Sequence, residues 1–315
     1  MNSKTLLTTI LIIVSTFASA QTSDPYKPDS GRPKDIKGMK LVWNDEFNNT
    51  GKPDSAFWRY EKGFVRNQEI QWYQPDNANC ADGILLIEGR REQFNNPNYD
   101  STSTNWKNNR KKVLYSSASI NTRGKKQWLY GRFEIRARID TAMGAWPAIW
   151  TLGTINPWPS NGEVDQMEFY RVKDVPTILA NVAWGGTQRG TAKWDSKRIP
   201  LSDFTSKDPD WAKKFHIWRM DWSKDSINLY LDDILYNACP LSQTINADRT
   251  NPFRNPEYIL LNLALGSNGG DPEKTNFPIK FEVDYVRVYQ TLNTDIQIKS
   301  ENTQEVMSVI NNNRD

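Results

Sequence analysis

The chain has one histidine, His216, and two cysteines, Cys80 and Cys239, in 315 residues. Two cysteines make no disulfide framework, and their spacing says nothing about proximity. Net charge is scarce too. Forty basic residues against 37 acidic ones leave a formal +3, with both signs interspersed. That gives no electrostatic case for nucleic acid and no basic stretch for a membrane surface. Beyond the first twenty residues no apolar run reaches spanning length, so no membrane span is expected. Gln21 rather than a cysteine comes directly after Ala20, which leaves a lipid anchor there without support. Internal repeats are missing as well.

Aromatic side chains are plentiful: 13 Trp, 12 Tyr and 12 Phe, within an apolar fraction of 37%. This is enough for a sizeable core, and the surplus either fills that core or lines a groove. The length exceeds one average domain, but large β sandwiches reach it as a single unit.

Residues 1–20 read as an export signal, with Lys4, an apolar Thr-rich stretch over 6–17 and the small-residue site Ala18-Ser19-Ala20. The mature chain is expected to start at Gln21 and to work in the periplasm or as a secreted protein. Residues 21–38, with Pro25, Pro28 and Pro33, have linker composition. Residues 39–290 alternate strand and turn, as in 131–139, 226–232 and 281–289, where polar and apolar side chains follow a period of two. Many short strands and few helical periods indicate an all-β antiparallel sandwich. A short helix is expected near 208–214. Residues 291–315 form a polar tail.

Within Asn161-Gly162-Glu163-Val164-Asp165-Gln166-Met167-Glu168-Phe169-Tyr170, three acids fall in six positions. On a strand, Glu163 and Asp165 share a face, while Glu168 points the other way. A β-bulge between Asp165 and Glu168 absorbs one residue and returns Glu168 to the shared face. Val164, Met167 and Phe169 then form the buried face. The Cα atoms of Glu163 and Glu168 would lie on the order of 13 Å apart, a gap two long side chains on a concave sheet can narrow. Acetal hydrolysis needs this pairing: one group protonates the leaving oxygen and the other meets the oxocarbenium-like centre, as nucleophile when the carboxyls are close. Clustered charge also raises at least one carboxyl pKa. Taken alone, the same residues are also compatible with three solvated acids on an exposed strand, or with calcium ligands.

Several segments, in order, resemble glycoside hydrolase family 16. Glu163-Val164-Asp165-Gln166-Met167-Glu168 matches its bulged E-x-D-x-x-E signature. Trp43-Asn44-Asp45-Glu46-Phe47, Asn67-Gln68-Glu69-Ile70-Gln71-Trp72-Tyr73 and Gly144-Ala145-Trp146-Pro147-Ala148-Ile149-Trp150 resemble further family segments. So does the closing stretch Val283-Asp284-Tyr285-Val286-Arg287-Val288-Tyr289. The resemblance spans about 41–290. It implies a jelly roll of two curved sheets, a sugar groove on the concave side, and an endo-acting, retaining glycosidase. Residue by residue it implies Glu163 as nucleophile, Asp165 as assisting acid and Glu168 as general acid/base.

A pyranose stacks on indole faces, so groove tryptophans are expected. Trp146 and Trp150, four apart on a presumed strand, share a face. Trp72 and Trp106 are further candidates, and Asn67 is placed to bond sugar hydroxyls. Family β-1,3-glucanases carry a Leu-His pair on the next strand. The corresponding stretch here, Leu179-Ala180-Asn181-Val182-Ala183-Trp184-Gly185-Gly186, is expected to put Trp184 at or near the histidine. His216 falls elsewhere and reads as structural. The expected substrate is therefore a polysaccharide of β-1,3-glucan or β-galactan type. Algal galactans and poly-N-acetyllactosamine or mucin-type host glycans are alternatives. A transglycosylase on the same site, or a non-catalytic carbohydrate-binding jelly roll, are the competing readings. Catalysis requires no cofactor. Glu46 and Asp284 fall where many members hold a structural calcium, which is the metal expectation. A monomer is expected.

Overall fold

The computed structural model describes residues 24–29, 31–188 and 190–292. The export signal expected over 1–20 and residues 293–315 of the polar tail lie outside the described residues. The period-two pattern becomes strand after strand. Between Gly131 and Ile139, Phe133, Ile135 and Ala137 are fully buried, while Arg132, Glu134 and Arg138 face outward.

The strands in chain order begin with β1 (Met39–Asp45), β2 (Arg59–Tyr60), β3 (Gln71–Tyr73), β4 (Ala78–Ala81), β5 (Ile84–Asn95) and β6 (Lys112–Ser117). Then come β7 (Ser119–Asn121), β8 (Gly131–Ile139), β9 (Ala145–Gly153), β10 (Glu163–Val172), β11 (Val175–Gly185) and β12 (Ala192–Pro200). The last are β13 (His216–Trp222), β14 (Ser226–Leu231), β15 (Ile234–Pro240), β16 (Glu257–Leu265) and β17 (Ile279–Thr291). One sheet has seven strands in the order β12-β11-β10-β9-β16-β7-β2. The other has ten, running β15-β14-β13-β8-β17-β5-β6-β3, with β1 beside β17 and β4 beside β5. Two such sheets stacked face to face are the jelly-roll sandwich expected from the sequence. Helix is limited to short pieces, such as Trp211–Lys213 in the expected stretch. No helix among the described residues is long and apolar enough to cross a membrane.

The core lies between the sheets. Val164, Met167 and Phe169 meet Phe133, Trp218, Met220, Val286 and Val288, all of them fully buried. Each such side chain contributes about 1.5–3 kcal/mol of hydrophobic stabilisation. Trp211 and His216 stack at 4.1 Å, and the imidazole is held by Asp232 and the Trp211 carbonyl. This matches the structural reading of His216. Cys80 and Cys239 are buried and unpaired, on β4 and on the far edge strand β15 of the same sheet.

On the outer face of the ten-stranded sheet, the two residues of the calcium expectation are bonded to arginines. Glu46 receives two parallel hydrogen bonds from Arg287, at 2.9 and 2.7 Å. Asp284 receives Arg136 Nη1 at 2.5 Å and the Asp29 amide at 3.0 Å. Each carboxylate is already neutralised by a guanidinium, and each answers a different arginine. Among the described residues no group of three or more His, Cys, Asp or Glu side chains is arranged to hold a metal. The same arginines pin part of the expected linker. Arg136 donates to the carbonyls of Lys27 and Asp24, and Phe215 N to that of Pro25 at 2.7 Å.

Candidate active site

The cleft lies on the outer face of the seven-stranded sheet, with a volume of about 780 Å³. Cross-strand register builds its floor. Glu163 sits between Leu152 and Ala183, Asp165 between Trp150 and Asn181, and Glu168 between Ala148 and Leu179. One residue of β11 separates Asn181 from Leu179, whereas two of β10 separate Asp165 from Glu168. Gln166 is the extra residue. This bulge is what brings the third carboxylate onto the face of the first two.

The opposite sheet holds the bulge in place. The Gln166 amide points into the sandwich and donates to the carbonyls of Phe133 and Trp218, at 3.2 and 3.4 Å. The Tyr236 hydroxyl donates to the Gln166 carbonyl at 2.5 Å. Upstream, Gly162 turns the chain into β10 with φ of 83°, and a Cβ there would meet Pro252 at 2.9 Å. Only glycine suits that corner.

Each carboxyl has its own partners. Trp158 Nε1 donates to Glu163 at 2.7 Å. Asn181 Nδ2 reaches both Asp165, at 3.0 Å, and Glu168, at 2.9 Å. Trp146 Nε1 donates to the other oxygen of Glu168 at 2.9 Å. Burial raises Glu163 to about 7, helped by the charge of Glu168 and opposed by the Trp158 bond. Burial, then the charges of Glu168 and Glu163, push Asp165 well above the usual carboxylate range. Glu168 is raised by burial, against bonds from Trp146, Asp165 and Asn181. Three acids in one enclosed row cannot all ionise. Asp165 stands between the other two, and its elevation comes from burial and from both neighbouring charges.

The other expected binding residues divide. Trp146, Trp150 and Asn67 line the cleft. Trp150 donates to Asn262 at 2.7 Å and lies under the Arg66 guanidinium at 5.1 Å. Asn67 has a φ of 55°, a left-handed conformation that asparagine tolerates. It donates to Glu69 at 3.3 Å, and Gln71 donates to the same carboxylate at 2.7 Å. Trp72 and Trp106 lie outside the cleft, packed around Phe64.

Trp184 is a correction. Asn181 and Ala183 face the cleft, so period two turns Trp184 inward, where it is 7% exposed in the core. The tryptophan in register with Glu163 is Trp194, one strand further out, through Ala183. The sequence reading missed Trp194, Trp158, Asn181 and Arg66. Only Asn181 had a local signal, as a polar residue within an apolar strand.

Residues 87–299 match the family model described as Glycosyl hydrolases family 16. The chain belongs to glycosyl hydrolases family 16. A relative named beta-glucanase, from Rhodothermus marinus, is 35% identical, over 80% of this chain and 85% of its own length. A keratan-sulfate endo-1,4-beta-galactosidase from Sphingobacterium multivorum is 28% identical, over 80% of this chain and 55% of that one. Among solved structures, one described with endo-acting O-glycanases that human gut bacteria express to initiate mucin breakdown superposes with a TM-score of 0.75. It is 34% identical and covers 85% of this chain and 97% of that chain. This family 16 chain is accordingly a glycoside hydrolase.

Proposed function

We propose that this protein is an exported endo-glycosidase that cleaves internal β-glycosidic bonds with retention, using Glu163 as nucleophile and Glu168 as general acid/base. The observation that supports this best is the bulge at Gln166, which aligns three carboxyls along one open cleft. In the first step Glu168 protonates the leaving oxygen while Glu163 attacks the anomeric carbon. Glycosylation removes the Glu163 charge. Glu168, having lost its proton, then draws one from water, and the released hydroxide equivalent displaces Glu163. Asp165 assists by bonding to Glu163 while that group is charged. Trp146 and Asn181 fix Glu168 in place, which favours a reactive geometry over a merely close one.

The polymer is of β-glucan or β-galactan type. Relatives named for β-glucan, for keratan sulfate and for mucin cleavage support both branches. Glu163→Gln tests the assignment: turnover should be lost with binding and folding intact. Unchanged turnover would remove Glu163 from the reaction. A panel of laminarin, mixed-linkage glucan, agarose, porphyran and mucin-type glycan, with product sizing, identifies the polymer.

A further inference from the structure

The edge strand β12 sends alternate side chains into the cleft, and none of them has a part in the chemistry above. Trp194, Ser196 and Arg198 line it, in register through β11 with the three acids. Trp194 follows Ala183 and Glu163, Ser196 follows Asn181 and Asp165, and Arg198 follows Leu179 and Glu168. The strip therefore offers a ring, a hydroxyl and a cation in order along the cleft wall.

Arg198 differs from the other cations at the cleft. Arg66 is held by Glu61. Arg171, just beyond the rim, is spent on the carbonyls of Thr141, Ala142 and Gly269. Arg198 is exposed and makes no ion pair or hydrogen bond among the described residues. Its nearest acid by register is Glu168, two strands or about 10 Å away along the sheet. The fully buried Leu179 stands between them. An arginine kept off the catalytic carboxylate by an apolar spacer is free for a ligand. A guanidinium fork suits planar or tetrahedral oxyanions through paired N–H bonds. Trp194, 47% exposed, adds a stacking face four residues earlier on the same strand.

We propose that β12 is the recognition edge for an acidic sugar. Arg198 binds a sulfate ester or carboxylate on a residue lying across β11 and β12, and Trp194 supports the neighbouring ring. This rests on the cleft being the polysaccharide groove, and it narrows the substrate to chains that carry anionic groups close to the cleaved bond.

Binding to the Glu163→Gln protein tests this without turnover. The probes are a sulfated galactan oligosaccharide, the same material desulfated, and a uronate-bearing oligosaccharide of equal length, titrated calorimetrically at low and high salt. The sulfated or the carboxylated probe should bind about tenfold or more tighter than the neutral one at low salt. Whichever does so identifies the anion. Adding Arg198→Ala should bring that ratio close to one, and Arg198→Lys should restore part of it. Equal binding of charged and neutral probes, or a preference that survives Arg198→Ala, overturns the proposal and leaves the groove reading standing. No binding by any probe to a folded protein overturns the proposal, and if laminarin also fails to bind, the groove reading falls with it.

Discussion

Trp158, a half-exposed loop residue, donates its indole N–H to Oε2 of Glu163 at 2.7 Å. That bond favours the ionised carboxylate, against burial and the charge of Glu168. Trp158→Phe keeps a ring and removes the donor. The Glu163 pKa should rise from about 7. Since attack needs the carboxylate, the acidic limb of the pH–kcat/KM profile should move to higher pH. Activity should fall most below neutrality and recover in alkali. A limb that stays put, measured across the profile, removes this role for Trp158.

Asn181 couples two acids through one amide nitrogen. Asn181→Ala leaves both without that donor, and hydrogen bonds to charged groups contribute about 1.5–3 kcal/mol each. A drop in kcat of roughly tenfold to a hundredfold should follow, with a smaller change in KM. Steady-state kinetics decide it; an effect confined to KM would place Asn181 in substrate binding instead.

Glu257, at the start of β16, is fully buried with one oxygen unpartnered and the other bonded by Thr151. Burial lifts it from 4.5 to about 8. The fold keeps this proton, whereas the unfolded chain gives it up above about 4.5. Its stabilising contribution is whole below that pH and is lost as pH rises towards about 8. Each pKa unit corresponds to about 1.4 kcal/mol, so the loss is on the order of a few kcal/mol. Glu257→Gln should raise Tm at pH 8 and flatten its decline from pH 5. A decline that persists in the variant, followed by calorimetry, contradicts this.

Arg287 and Glu46 are joined where calcium was expected. EDTA should leave Tm unchanged, and added calcium should not raise it. Arg287→Ala should cost about 3–5 kcal/mol, because it strands a partly buried carboxylate. Thermal melts with and without chelator check both statements, and a chelator-sensitive Tm would reinstate a metal at this face.

Most of the fold was readable because polarity alternates with a period of two over β8, β14 and β17. The acids of β10 were readable for a subtler reason. Their spacing makes sense as a cooperating set only if one residue is extruded, so the bulge followed from chemistry. The sequence could not show which residue is extruded, because the anchor of Gln166 lies on β8, β13 and β15, far along the chain. Trp184 failed by a single position in register, which on a strand exchanges groove for core. Arg287 was hidden by its distance from Glu46, a sequence separation of 241. Trp158 sits on a loop, where periodicity is silent.

The central claim is a double displacement between Glu163 and Glu168 on one face of a bulged strand. Proton NMR of a cleavage reaction, taken before mutarotation, tests it most directly. The account predicts that the new reducing end appears first as the β anomer and equilibrates to the mixture later. Early α anomer would mean single displacement by water, and would contradict the assignment of Glu163 as nucleophile.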